Sequence, residues 1–148
     1  MDNYWLGKNV AITGGAGMIG AHLVKLLQEQ GAAVLALDNL ERGKNIPREG
    51  FVKRDCTDLD ALIRDFHKTD IVLNLAAKVT AIDYNSLHHG EMFHRNMLLQ
   101  QIPLEAARLA GVKRFLQCST VCVYGHNAPI PTPEDFADIN MPEPTNEG

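Results

Sequence analysis

The run Thr13-Gly14-Gly15-Ala16-Gly17-Met18-Ile19-Gly20 places four glycines in one short segment. It satisfies G-x-G-x-x-G through Gly15, Gly17 and Gly20, and G-x-x-G-x-x-G through Gly14, Gly17 and Gly20. Glycine permits a tight turn, lets the backbone approach a bound group and lets a helix pack closely on a strand. A helix that starts at such a turn offers N–H groups and the positive end of its dipole, the chemistry of a pyrophosphate site. The segment follows a β-rich run and precedes helical spacing, as the motif requires. A tight turn that holds nothing is the alternative reading. Asp38 ends a second aliphatic run, Val34-Leu35-Ala36-Leu37, eighteen positions after Gly20. A carboxylate there accepts hydrogen bonds from the adenosine ribose hydroxyls and repels a 2′-phosphate, so NAD is the expected cofactor. Arg42 nearby is the residue type that accommodates that phosphate, which keeps NADP as an alternative; a solvated strand-end acid is the other.

These groups need a scaffold to bring them together. Residues 8–13, 33–37, 51–53, 71–75 and 112–118 are short aliphatic or β-branched runs and read as strands. Helices are expected over 18–31, with Ile19, Leu23, Leu26 and Leu27 on one face, and over 58–66, capped by Thr57 or Asp58. A third helix is expected over 88–110, ended by Gly111 and kinked at Pro103, which removes an internal hydrogen bond. Strands alternating with helices imply βαβ units. The expected fold class is α/β: a doubly wound parallel sheet of the Rossmann type, about five strands, covered on both faces. The expected division is a dinucleotide-binding domain over 1–125 and a Pro-rich loop over 126–148. That loop holds Pro129, Pro131, Pro133, Pro142 and Pro144, five of the chain's seven prolines.

At 148 residues, 45% hydrophobic and 22% charged, the chain suits one domain with a sizeable core and is not disordered in bulk. A net charge of −4 makes no electrostatic case for nucleic acid or an anionic membrane. No apolar run reaches the roughly 18 residues of a membrane span, and the N-terminus lacks a signal-peptide pattern. Three cysteines in that setting point to reduced thiols and a cytoplasmic protein. His88, His89 and His94, with Glu91, lack HExxH spacing and read as solvated residues at a helix start, so no metal is expected.

Further motifs follow in order: Leu37-Asp38-Asn39-Leu40, Arg54-Asp55-Cys56-Thr57-Asp58, Asn74-Leu75-Ala76-Ala77 and Asn96 in the long helix. Gly111-Val112-Lys113-Arg114-Phe115 then leads to Cys118-Ser119-Thr120-Val121-Cys122-Val123-Tyr124-Gly125. Together they resemble the extended short-chain dehydrogenase/reductase family, the NAD-dependent sugar-nucleotide epimerases and dehydratases, over residues 8–148. The resemblance implies cofactor binding by Gly14, Gly17, Met18, Ile19, Gly20, Asp38 and Asn39. It places Asp55 and Cys56 beside the adenine, and Leu75, Ala76, Ala77 and Lys78 along the pyrophosphate and nicotinamide ribose. Asn96 is then the family's helix asparagine, largely structural, and Ser119 a further cofactor-side residue. Thr120, four residues before Tyr124, takes the place of the catalytic hydroxyl on the sugar oxygen. A strand-end pair bonding its own backbone is the other reading of Ser119 and Thr120.

Cys122, two residues before Tyr124, resembles the acid/base cysteine of the GDP-sugar 3,5-epimerase and GDP-fucose synthase branch. A thiol suits that work because its surroundings can bring its pKa toward neutrality; a small core cysteine is the alternative. Ala76-Ala77-Lys78-Val79 and Pro144-Thr145-Asn146-Glu147 point to the same branch. Gly125 departs from it, and Asp38 sits poorly with its frequent use of NADP.

The family also implies a catalytic Tyr-x-x-x-Lys pair. Pro142-Glu143-Pro144-Thr145-Asn146-Glu147-Gly148 reads as the lead to it, and the only match in the chain, Tyr4 to Lys8, precedes the first strand. The expectation is therefore the NAD-binding portion of a sugar-nucleotide epimerase, dehydratase or reductase, truncated before the last helix and strands and inactive alone. Its expected partners are a nucleotide sugar, in a complete protein, and further copies of itself through uncovered sheet surface. A non-catalytic dinucleotide-binding module and an NADP-linked GDP-sugar reductase or epimerase are the alternatives.

Overall fold

The computed structural model describes residues 3–41, 51–125 and 127–138, with the backbone alone for Ile82, Cys122, Ala137 and Asp138. Five strands form one sheet: β1 Asn9–Thr13, β2 Ala33–Asp38, β3 Phe51–Lys53, β4 Ile71–Asn74 and β5 Arg114–Gln117. Their order is β3-β2-β1-β4-β5, and every pair is parallel. The helices are α1 Met18–Glu29, α2 Leu59–Asp65, α3 Ile82–Leu87 and α4 His89–Leu109. All five expected strands and the three expected helices are present. The short helix α3 and the 3₁₀ turns Val121–Val123 and Glu134–Asp138 are additions. They are too short to carry a readable hydrophobic period.

Side chains on a strand alternate between faces, and the two buried clusters follow that alternation. Ala11, Leu37 and Val72 pack on one face with Cys56, with Leu62 of α2 and Phe66 just after it, and with Ala106 and Ala107 of α4. Val10, Ile12, Ile71 and Leu73 pack on the other with Leu27 of α1 and Ala32. The central strands β1 and β4 are thus apolar on both sides, the mark of a parallel sheet between helices. On edge strand β5 Leu116 is 51% exposed, and among the described residues that strand pairs with β4 alone.

Local chemistry sets the helix ends. The Asp58 carboxylate accepts from the Ala61 N–H at 3.0 Å and caps α2. Helix α1 closes with bonds from Gly31 N to Gln28 O and from Ala32 N to Leu27 O. Helix α4 closes in the same pattern, from Gly111 N to Arg108 O and from Val112 N to Ala107 O. Both closures turn the chain directly toward the next strand. After α2 the left-handed position falls on Lys68, φ 65°, where a Cβ is unfavourable. At the same end of the sheet the Asp70 carboxylate accepts from the Asn9 N–H at 3.0 Å and Lys113 Nζ at 2.7 Å. Those bonds hold its carboxyl below the usual range, Lys113 contributing most.

Pro103 lies inside α4, which runs without interruption from His89 to Leu109. Proline has no N–H for the carbonyl of Leu99, four residues earlier. The Asn74 side-chain amide supplies one instead, Nδ2 to Leu99 O at 2.9 Å. The helix is thus continuous through Pro103, and the donor its Leu99 carbonyl lacks comes from the sheet.

The chain divides into two compact units. Residues 79–94 and 119–148 form one, and the remainder, with the whole sheet, forms the other. Residues 79–94 and 119–125 thus group with the Pro-rich segment. Among the described residues no helix is long and apolar enough to cross a membrane.

Two outcomes follow for stability. Lys68→Gly should stabilise the fold by about 1 kcal/mol, seen as a higher urea midpoint, because it removes a left-handed Cβ. Burial pushes the Cys56 thiol up to about 12, with the Asp38 and Asp55 charges adding to it. A pKa raised on folding contributes stability that is intact below the unfolded value near 9.0 and is lost as pH rises from there toward 12. Cys56→Ala should flatten that part of the pH–stability curve. Mass-spectrometric mapping after brief native alkylation should find Cys118, which is exposed, modified and Cys56 protected until denaturant is added.

Candidate functional site

The glycine-rich segment leaves the carboxyl end of β1, between β2 on one side and β4 on the other. That is where the strand order reverses, the place at which open α/β sheets bind ligands. Three of its four glycines are demanded by the protein's own packing. A Cβ on Gly20 would stand 2.2 Å from the Gly14 carbonyl oxygen, and one on Gly15 would stand 2.9 Å from the Ala36 Cβ. A Cβ on Gly14 would lie 2.9 Å from the Leu75 carbonyl.

Gly17 is different. It is exposed, it provides no side-chain cap for α1, and a Cβ there would meet only the Gly14 oxygen, at 3.1 Å. The first turn of α1 carries no acidic residue. Its N–H groups at Met18, Ile19 and Gly20 have no acceptor within the helix. The bare Gly17 leaves them approachable, so an anionic group such as a pyrophosphate fits here. Met18 and Ile19 turn their side chains outward and are themselves exposed.

Asp38 faces this turn. Its Oδ2 accepts from the Ala16 N–H at 3.1 Å and its Oδ1 from the Leu40 N–H at 2.8 Å. The acid that ends β2 therefore clasps the loop that ends β1. Leu40 follows in the left-handed region, φ 59°, and the Asn39 Oδ1 accepts from the Glu41 N–H. A carboxylate has about four acceptor positions, so two remain for ribose hydroxyls. Asp55 lies after β3 and is exposed. The Thr57 backbone N–H and then its hydroxyl hold the Asp55 carboxyl below the usual range, with Arg95 adding attraction. Cys56 points the other way, into the core.

Residues 75–78 leave β4 beside the glycine turn. The Leu75 N–H bonds to Thr13 O, and the Ala76 N–H to the Thr13 hydroxyl at 3.3 Å. Lys78 is held at both main-chain groups by one side chain of α4. Its N–H donates to Asn96 Oδ1 at 2.8 Å, and Asn96 Nδ2 donates to its carbonyl at 3.1 Å. The sheet-bearing unit thus holds Gly14, Gly17, Met18, Ile19, Gly20, Asp38, Asn39, Asp55, Cys56, Leu75, Ala76, Ala77, Lys78 and Asn96.

Sequence reasoning assigned no role to Thr13 and Asn74, which are fully buried and bonded to each other through the Thr13 hydroxyl and Asn74 Oδ1. The available signal was two polar residues at the ends of adjacent apolar strands, which must find partners if buried.

Ser119 and Thr120 belong to the second unit and are exposed. The Thr120 carbonyl accepts from the Val123 N–H and opens the 3₁₀ turn. The Cys122 side chain, Arg42 and the segment from Pro142 to Glu147 lie outside the described residues. In the same unit the Tyr84 hydroxyl donates to Glu91 at 3.0 Å, and its ring stacks on His88 at 4.1 Å. Among the described residues no three His, Cys, Asp or Glu side chains are placed to hold a metal ion. Lys8 Nζ lies 5.7 Å from the Tyr4 ring centroid, before β1 and at the opposite end of that strand from the glycine turn.

The chain resembles known proteins in sequence and in fold. GDP-mannose 3,5-epimerase 1 of Oryza sativa subsp. indica is 29% identical over 129 residues, which cover 83% of this chain and 34% of the rice protein. An epimerase from Methanothermobacter thermautotrophicus superposes with a TM-score of 0.80 at 36% identity, covering 93% of this chain and 43% of that one. UDP-glucose 4-epimerase from Brucella ovis, solved in complex with NAD, superposes with a TM-score of 0.74 at 29% identity, over 84% of this chain and 39% of that one. The chain thus spans well under half the length of each. The family model for NAD dependent epimerases and dehydratases matches residues 10–147. With nearly its whole length inside that match, the chain belongs to the NAD dependent epimerase/dehydratase family.

Proposed function

We propose that this chain is the NAD-binding portion of a sugar-nucleotide epimerase, dehydratase or reductase. The observation that carries the reading is the helix start at Gly17, open to an anion, with the Asp38 carboxylate clasped against the same turn. The N–H groups of Met18, Ile19 and Gly20 hold the pyrophosphate. Asp38 takes the ribose hydroxyls and disfavours a 2′-phosphate, so NAD is preferred to NADP. Residues 75–78, fixed by Asn96, line the nicotinamide side. NAD, when bound, supplies a transient hydride acceptor at a sugar carbon. Thr120 holds the sugar oxygen, and Cys122 is the candidate for moving a proton at a carbon beside a ketone. The names of the relatives support a nucleotide sugar as substrate, since they act on GDP-mannose and UDP-glucose. The partly exposed Leu116 on β5 supports self-association through that face.

Calorimetric titration tests the cofactor assignment. NAD should bind, and NADP should bind at least about tenfold more weakly, a difference of roughly 1.4 kcal/mol. No binding of NAD, or equal binding of both, would overturn it. Gly17→Ala should weaken NAD binding while leaving the urea midpoint almost unchanged. Gly20→Ala should cost more than about 2 kcal/mol of stability, because its Cβ collides with backbone.

The 148 residues hold no Tyr-x-x-x-Lys other than Tyr4 to Lys8. Incubated with NAD and UDP-glucose or GDP-mannose, they should therefore give no product by liquid chromatography. Measurable turnover would refute the need for that pair.

A further inference from the structure

We infer that Asn74 and Pro103 are a matched pair that sets helix α4 in place, and that Asn74 thereby acts as a positioning residue for segment 75–78. The consequence for NAD rests on the function proposed above; the pairing itself does not.

An ordinary residue at 103 would satisfy the Leu99 carbonyl through its own N–H. Pro103 cannot, and it is buried. Asn74 is fully buried and uses its whole amide: Nδ2 donates to Leu99 O at 2.9 Å and to Gln117 Oε1 at 2.7 Å, and Oδ1 accepts from Thr13. The proline therefore makes a helix carbonyl available, and the asparagine joins it to the sheet.

The position of this bond matters. Leu99 lies three residues after Asn96, on the same face of α4. Lys78 lies four residues after Asn74 on the chain leaving β4. Two rungs thus join the same two segments, Asn74 to Leu99 and Lys78 to Asn96. A slip of α4 by one residue would turn Asn96 by about 100° and shift it about 1.5 Å. That is enough to break both of its bonds to Lys78.

Native-state amide hydrogen exchange of the full chain tests the pairing, with the Lys78 N–H as reporter of the Asn96 rung. Asn74→Ala should speed its exchange at least about tenfold. In a Pro103→Ala background, where residue 103 again donates to Leu99, the same substitution should speed it less than about threefold. The NAD dissociation constant should rise with Asn74→Ala and recover in the double variant.

Equal acceleration in the two backgrounds, or none with Asn74→Ala, would overturn the pairing. If Asn74→Ala fails to fold alone but folds with Pro103→Ala, that rescue supports it. Failure in both backgrounds overturns it, by placing the role of Asn74 in Thr13 and Gln117 alone. Absence of NAD binding by the unaltered chain would refute the proposed function, while the exchange measurement, which needs no ligand, would still decide the pairing.

Discussion

The buried amide of Asn74 is the constraint on which much of this molecule depends. A polar side chain removed from water must have its hydrogen bonds made within the protein, or the loss is a large fraction of the total stability. Asn74 meets that demand with three partners on three different elements: Thr13 at the end of β1, Gln117 on β5 and the Leu99 carbonyl in α4. Satisfying one residue therefore ties the two neighbouring strands and the covering helix to β4 at the carboxyl end of the sheet. Apolar packing supplies most of the driving force for burying these surfaces and selects the face each strand buries. The directional bonds of Asn74 add fixed partners at this end of the sheet.

The opposite end of the sheet is held by a more exposed arrangement. Asp70 bonds the Asn9 N–H and the Lys113 ammonium, joining β1, β4 and the start of β5 where water competes. Exposed ion pairs of this kind contribute little. The end that carries the site is thus pinned by buried neutral bonds, and the other by solvated charge.

Within the glycine turn, the four glycines do not answer to the same constraint. Gly14, Gly15 and Gly20 stand where β4, β2 and the turn's own backbone leave no room for a side chain. Gly17 stands in the open at the helix start. The motif therefore records two different requirements that happen to share a residue type. Asp38 shows the same economy of parts: its carboxylate braces both Ala16 and Leu40 and retains further acceptor capacity. A change at Asp38 would therefore also loosen the glycine turn.

Much of the fold was legible from residue order, because parallel strands buried on both faces read as apolar runs, and helices between them carry their own period. Val10 to Thr13, Ile71 to Asn74 and the helix from Met18 needed nothing beyond local pattern. The glycine spacing and Asp38 were likewise legible from local pattern, and the structure brings the two together at one turn. Helix α3 and the 3₁₀ turns were not, since six residues or fewer give too little periodicity. Nor were the consequences of Pro103. Local rules assign a proline inside a helix a broken bond and a kink, and only the packed structure brings Asn74, twenty-nine residues earlier, to the carbonyl that lost its donor. Cys56 and Asp38 teach the same lesson in opposite directions: one turns from the motif into the core, the other reaches across strands to the turn. Sequence by itself determined which residue types stand at the strand ends and therefore what chemistry is available there. Tertiary structure decided which of those groups hold one another and which face outward, because hydrogen bonds between groups far apart in the chain exist only after the sheet has closed.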